Sequence, residues 1–417
     1  MFREASKCRI CQNSNLVTVL DLGEQYLTGV FPSRIMPELG KGPVQLVKCH
    51  GSVPDSSCGL VQMRHTFAAE QMYGENYGYR SGLNRSMVDH LHQKVDQLLK
   101  VVTLKPGDLV LDIGSNDGTL LGRYPDKGIH LVGIDPSAEK FRKHYHPDIS
   151  LIVDFFSENV FLEHSGGCKA KIVTSIAMFY DLEDPQAFVN DVANVLDDDG
   201  IWHLEQSYLP MMLQTNSYDT VCHEHIEYYT LRQLLWMFER AGLKIIDVDQ
   251  NLTNGGSFAV TVARKNSKYR ANQEKIESLL GQETDLGLDT LKPWEEFRKR
   301  VLESRKNLVD LFHQISEQKK SILGYGASTK GNVLLQYCGI TPQLLPCILE
   351  VNEDKFDCFT PGTWIPIISE EEGRRMNPDY FIVLPWHFRE NITKRESSFL
   401  ERGGKLIYPL PNLDVVG

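Results

Sequence analysis

The densest group of chemically able side chains in this sequence is Cys222-His223-Glu224-His225-Ile226-Glu227-Tyr228-Tyr229. Two imidazoles beside two carboxylates and two phenols suit general acid–base work, with a carboxylate to orient the base. Glu224 and His225 are the stronger pair, since surface placement accounts equally well for His223 and Glu227. The His-Glu-His run resembles a metal motif, but His223 and His225 are two apart and share no helix face, so no metal is expected there. A second constellation is Cys8-Arg-Ile-Cys11 with Cys49 and Cys58. Four thiolates can hold a structural Zn²⁺, leaving no open position for chemistry. The second pair is spaced C-x8-C, wider than a tight knuckle, and His50 is a rival ligand. The other five cysteines have no comparable pairing and are expected to pack.

A third group is a turn. In Asp108-Leu-Val-Leu-Asp112-Ile-Gly114-Ser-Asn116-Asp117-Gly118, an apolar run suits a buried parallel strand. Asp112 ends that strand, and the glycines permit a tight turn into a helix beginning near Thr119. A second strand, His130–Ile134, ends in Asp135. An acid about twenty residues beyond a glycine turn is placed to take the hydroxyls of a ribose. The turn lacks the extra glycines that a pyrophosphate requires, which favours S-adenosylmethionine (SAM) over NAD. Two aromatic groups accompany it. Tyr73–Gly82, containing Tyr77, Tyr79 and Arg80, precedes the domain and could cover its mouth, and Met178-Phe179-Tyr180 follows a strand. Tyrosines in either place serve packing as readily as chemistry.

These groups need a scaffold. Strands expected at Leu109–Asp112, His130–Ile134, Leu151–Val153, Ile172–Ser175, Gly200–Glu205, Lys244–Val248 and Ser257–Ala263 alternate with helices and imply a parallel α/β sheet. Asn254-Gly255-Gly256 signals a closing antiparallel hairpin. The Glu-His pair follows the strand ending near Glu205, at the edge where open α/β sheets bind ligands. A polar stretch, Lys265–Lys292, leads to an amphipathic helix over about Trp294–Glu317. A second Rossmann-like unit starts at Ser321, with strands at Ile322–Tyr325, Leu345–Leu349, Tyr380–Leu384 and Lys405–Tyr408. In its turn, Gly326, Ser328, Thr329 and Lys330 could meet a phosphate at a helix start. The division expected is a zinc module (1–70, with a strand near Val44–Lys48), a SAM domain (71–265), a linker and helix (266–318), and a C-terminal Rossmann-like domain (319–417).

Composition limits the partners. The 44 basic and 55 acidic residues give −11, with no basic stripe, so nucleic acid is not expected. No apolar run approaches a membrane span, and the charged N-terminus does not read as a signal peptide. A cytoplasmic, monomeric protein with reduced thiols is the expectation.

The ordered set of four N-terminal cysteines, D-I-G-S-N-D-G at 112–118, E-H at 224–225, G-G at 255–256 and G-Y-G-A-S-T-K at 324–330 resembles the three-domain nucleotide-sugar C-3′-methyltransferases of branched-deoxysugar biosynthesis. The resemblance covers essentially the whole chain. It implies SAM in the middle domain and a nucleoside-diphosphate 4-keto-6-deoxy sugar between the middle and C-terminal domains. It makes His225 the base and Glu224 its orienting partner. Tyr79, with Tyr77 as the alternative, matches a family tyrosine, and Tyr180 stands near a position where relatives carry histidine. It sets Asp112 and Gly114 at the methionine part, Asp135 at the ribose, and Asp154 and Phe155 at the adenine, with Asn116, Asp117 and Pro136 as further cofactor contacts. Tyr229 joins Tyr77, Tyr79, Gly326, Ser328, Thr329 and Lys330 as substrate contacts. Rival readings are an O- or N-methyltransferase on a sugar nucleotide, an NAD-linked oxidoreductase with Glu350 at the ribose, and a zinc-dependent interaction protein.

Overall fold

A computed structural model describes residues 2–51, 57–68 and 79–417. Leu109–Ile113 is buried at every position, as an apolar run covered on both faces must be. It sits inside a seven-stranded sheet ordered Leu243–Asn251, Ser257–Arg264, Leu196–Ser207, Ala170–Ile176, Leu109–Ile113, His130–Ile134, Ile149–Ile152. Only Ser257–Arg264 runs antiparallel to its neighbours. The C-terminal ends Ile113, Ile134, Ile176 and Ser207 therefore share one edge. One face packs Trp202, Leu204, Phe179 and Tyr229 together with Cys8, Cys49 and Cys58 of the N-terminal module. The other is covered by the helix Arg85–Val101, whose Met87, Leu91, Val95 and Leu98 recur every three or four residues and bury together.

Four expected elements differ, one being the second strand of the C-terminal unit, which is Ile348–Glu350 rather than Leu345–Leu349. The glycine turn does not open into a helix near Thr119: a single tight turn, Leu121–Arg123, follows it. Gly118 takes a positive φ and Pro125 restricts Tyr124 to extended backbone, so no helix can grow between them. The third strand is Ile149–Ile152 rather than Leu151–Val153, because the turn at His146–Ile149 closes earlier. The polar connection contains a helix, Gln273–Asp285, that buries Ile276, Leu279 and Glu283. Glu283 accepts from the Tyr208 hydroxyl at 2.8 Å and from Leu231 N at 2.6 Å, a buried anchor that hydropathy registers as surface.

The C-terminal sheet is ordered Ile367–Ser369, Ile348–Glu350, Ile322–Tyr325, Tyr380–Val383, Lys405–Tyr408, Asp414–Val416, parallel except for its last strand. The helix Lys292–Glu317 joins its core to that of the N-terminal module: Phe297, Val301, Leu308 and Phe312 share one apolar cluster with Leu20, Leu46, Val333 and Ile348. The module's strands Leu16–Tyr26, Lys41–Cys49 and Val61–Met63 are extended by Glu227–Tyr228 of the Glu-His loop. The loop bearing the candidate base is thus a strand of the cysteine-rich module. No helix among the described residues is long and apolar enough to cross a membrane.

Candidate active site and metal centre

The module's hairpin brings the distant cysteines together. Cys49 ends a strand and its N–H donates to Leu60 O, which sets Cys58 alongside. The Cys8 knuckle is closed by Gln12 N–H donating to Cys8 O. The four Sγ atoms lie within 4.8 Å of one another, with Cys8–Cys58 at 3.4 Å and Cys11–Cys49 at 3.5 Å. Zn–S bonds of about 2.3 Å require tetrahedral edges of about 3.8 Å, so the set fits Zn²⁺. Asn13 Nδ2 donates to Cys49 Sγ and to the His50 carbonyl, while the His50 imidazole is outside the ligand group.

Ten of the remaining candidates line a cleft of about 310 Å³ at the shared strand edge. Its walls combine the Asp112–Asn116 turn, the start of the helix Arg85–Val101, Tyr180, the Glu224–His225 pair, Asn254, and Ser328–Lys330 of the C-terminal unit. Gly114 has φ +75°, and an added Cβ would stand 3.1 Å from the Met178 side chain. Asp112 is buried, with one oxygen accepting from Thr174 Oγ1, and desolvation pushes its carboxyl up to about 7. A buried acid beside an open turn fits the ammonium of SAM's methionine tail.

Other expected cofactor contacts are otherwise employed. Asn116 and Asp117 clamp the entrance: Ser81 N–H donates to Asn116 Oδ1 at 2.9 Å, Gly82 N–H donates to Asp117 Oδ2 at 2.8 Å, and Asn116 Nδ2 donates to Tyr79 O at 3.2 Å. Asp117 also binds Thr119 and faces Arg80 at 3.7 Å, so its carboxylate holds protein rather than facing the cleft. Asp135 stands at the end of its strand as expected, accepting from Asn116 N at 2.8 Å and from Ser137 N and Oγ at 2.7 Å. Pro136 adjoins it, and Asp154 and Phe155 are exposed just past the next strand, farther along the same edge.

On the opposite wall, His225 Nδ1 meets the Thr220 carbonyl at 2.9 Å, which fixes the proton there and leaves Nε2 as the acceptor. Burial, with the nearby Lys330 charge, holds the imidazole down to about 4. The Tyr180 ring packs edge-on against it at 4.4 Å. Two expectations require correction. Glu224 is not the group on His225 Nδ1, a place the Thr220 carbonyl takes. Its oxygens accept from Gly29 N at 2.8 Å and Thr28 Oγ1 at 3.0 Å, tying the loop to the cysteine-rich module. Tyr229 does not face the cleft: it is fully buried, packed on Phe179, and donates to Glu227 Oε2 at 2.8 Å. Tyr79 lines the cleft, whereas Tyr77 lies outside the described residues.

In the C-terminal turn, Gly326 has φ +80° beside Pro385, and Ser328 caps the helix Thr329–Cys338 by accepting from Gly331 N. Lys330 donates to Asn254 O across the domain boundary. Burial lowers its ammonium pKa, and Asp219 partly opposes that shift. Three cleft-lining groups carried no motif in the sequence: Glu205, Gln206 and His387. Glu205 is held by His90 Nε2, by Lys94 Nζ at 2.6 Å and by Asn251 Nδ2 at 3.0 Å. Burial alone would raise its carboxyl, but His90 and Lys94 hold it down to about 2. The four-residue spacing of His90 and Lys94 on one helix face was the available signal.

Three family models match this chain in succession. Residues 8–73 match a domain described as zinc binding, residues 83–248 a methyltransferase domain, and residues 252–411 a C-methyltransferase C-terminal domain. C-methyltransferase NovU of Streptomyces niveus is 29% identical over 420 residues, covering 99% of this chain and 97% of that protein. Among solved structures, the plantazolicin methyltransferase BamL is 15% identical over 42% of this chain and 85% of its own, with a TM-score of 0.35. Magnesium protoporphyrin IX methyltransferase from Synechocystis PCC 6803 is 16% identical over 43% and 78%, with a TM-score of 0.31. Likenesses that partial carry no argument about chemistry.

Proposed function

Because this chain belongs to the three-domain, zinc-containing, SAM-dependent C-methyltransferases, we propose that it methylates C3 of a nucleoside-diphosphate-linked 4-keto-6-deoxy sugar. The observation carrying this reading is a neutral, tautomer-fixed His225 in the same cleft as the Asp112–Gly114 turn. A ketone at C4 acidifies the hydrogen on C3. His225 Nε2 removes that proton, and its Nδ1–H keeps the Thr220 carbonyl as the imidazole becomes charged. Charge then moves to the C4 oxygen, for which the Tyr79 and Tyr180 hydroxyls are donor candidates. SAM, when bound, supplies an electrophilic methyl group. C3 would take that methyl in line as its bond to the sulfonium sulfur breaks and S-adenosylhomocysteine leaves, so rate depends on how the walls align the two carbons.

The other walls have supporting roles. Asp112 and the Gly114 turn hold the methionine part, and Asp135, Pro136, Asp154 and Phe155 follow the nucleoside along the strand edge. Ser328, Thr329 and Lys330 meet the sugar nucleotide from the C-terminal unit. Glu224 keeps the base loop registered on the zinc module through Thr28 and Gly29. The free thiols suit a reducing compartment, the cytoplasm.

The test is deuterium incorporation from D₂O into dTDP- and GDP-linked 4-keto-6-deoxy sugars without SAM, read by NMR. Exchange at C3 that disappears in His225→Asn is expected. Methyl transfer to oxygen or nitrogen, with no exchange, would replace this reading by an O- or N-methyltransferase.

A further inference from the structure

We infer that Gln206 is a substrate-contacting residue that fixes the keto sugar's reacting edge. Its side-chain amide donates to the C4 oxygen and accepts from the polar substituent on the adjacent carbon. The inference rests on the proposed sugar chemistry and goes beyond it in naming a specificity group.

Gln206 lies near the end of the strand Leu196–Ser207, lines the cleft and is 2% exposed. Among the described residues, neither its amide nitrogen nor its amide oxygen has a hydrogen-bond partner. A buried amide with both halves unpaired is costly, and such groups are rare in folded proteins. The adjacent residue offers an internal control. Glu205, one position earlier and on the opposite face, is satisfied by His90, Lys94 and Asn251. Of these two neighbours, Gln206 is the one whose polar atoms remain for a group from outside. The terminal torsion of a glutamine is soft, so a small rotation presents the amide to a ligand.

Sheet order selects the ligand. The cofactor turn ends Leu109–Ile113, and the ribose acid ends His130–Ile134 on its far side. Leu196–Ser207 lies on the other side, beyond Ala170–Ile176. A cofactor held by the first pair of strands would leave the far side of Ala170–Ile176, the side of the cleft that Gln206 lines, for the acceptor. Strand alternation puts Gln206 on the face of Trp202 and Leu204, which pack in the cluster that also contains Tyr180, the ring against His225. An amide presents a donor and an acceptor along one planar edge. A ketone beside a carbon bearing hydroxyl or amine presents the complement. The donor half strengthens as charge develops on the C4 oxygen, whereas a carboxylate at this place would repel it.

The experiment compares wild type, Gln206→Met and Gln206→Glu in two measurements. One is C3 deuterium exchange of dTDP- and GDP-linked 4-keto-6-deoxy sugars in D₂O without SAM, and the other is SAM affinity by calorimetry. Gln206→Met keeps the shape and removes both hydrogen bonds, so exchange should fall by about 10²-fold, the scale of a lost oxyanion donor. Gln206→Glu should fall at least as far, and both should bind SAM as wild type does. Wild-type exchange rates in both variants would overturn the inference while leaving the sugar chemistry standing. Loss of SAM affinity in step with exchange would also overturn it, since a merely structural glutamine behaves that way. Absence of exchange and of methyl transfer in the wild type would remove the sugar chemistry itself.

Discussion

The two glycine turns of this chain follow the same strand–turn plan and do different work. In the first, Asp112 is buried with its carboxyl pushed up to about 7, the backbone stays open after Gly114, and no helix follows. In the second, a capped helix follows at once. Glu350, which ends the neighbouring strand, accepts from Ala327 N at 2.9 Å, Val351 N at 2.7 Å and Asn352 N at 3.0 Å, as Asp135 in the first unit accepts from Asn116 N, Ser137 N and Ser137 Oγ. A turn whose acid is buried beside open space is prepared for a cation. The first turn therefore suits the cofactor, and the second supplies a wall that reaches the cleft through Ser328–Lys330.

The largest expected effect separates binding from chemistry. His225→Ala should lower methyl transfer by on the order of 10³-fold, the upper range for a general base, with SAM affinity by calorimetry unchanged. Next is the acid pair. Asp112→Asn should weaken SAM binding by about 10–100-fold, as loss of a charged hydrogen bond does. Glu350→Ala should leave SAM affinity alone and lower stability in urea titration by about 2–3 kcal/mol, since it removes three backbone contacts to a charged group. If the two variants exchanged phenotypes, the comparison would be reversed. Lys330→Met should then raise KM for the sugar nucleotide by about tenfold with SAM affinity intact, the scale of one charged contact.

The smallest effect is the pH dependence of SAM binding. The Asp112 carboxyl is raised, so below about pH 7 it holds a proton that SAM's ammonium must displace. Affinity should fall by up to about tenfold per pH unit as pH drops below 7 and level off above it. In Asp112→Asn that slope should vanish.

Much of the scaffold was legible because its strands are buried on both faces and read as apolar runs, Leu109–Ile113 and Ile322–Tyr325 among them. The four cysteines were legible because thiolates in a short module have few other uses. What hid was polar and buried. Glu283 lies in a stretch that reads as a polar linker and Glu205 at a strand end with no motif, yet each satisfies partners brought from distant parts of the chain. The resemblance makes Asn116 and Asp117 cofactor contacts, but their side chains hold the Ser81–Leu83 entrance, a long-range pairing no local pattern encodes. Tyr229 read as a site residue from its neighbours, whereas strand alternation after Tyr228 turns it into the core. The Glu224 partnership failed for the same reason: its acceptors were filled by a module some 195 residues earlier.

The central claim is that one cleft joins a SAM turn to a base acting on carbon. The most direct test is the product formed from [methyl-¹³C]SAM and dTDP- or GDP-linked 4-keto-6-deoxy sugars, read by carbon–proton correlation NMR. A labelled methyl bonded to C3 is the predicted result. A labelled methyl on oxygen or nitrogen, or no transfer to any of these sugars, would contradict the account.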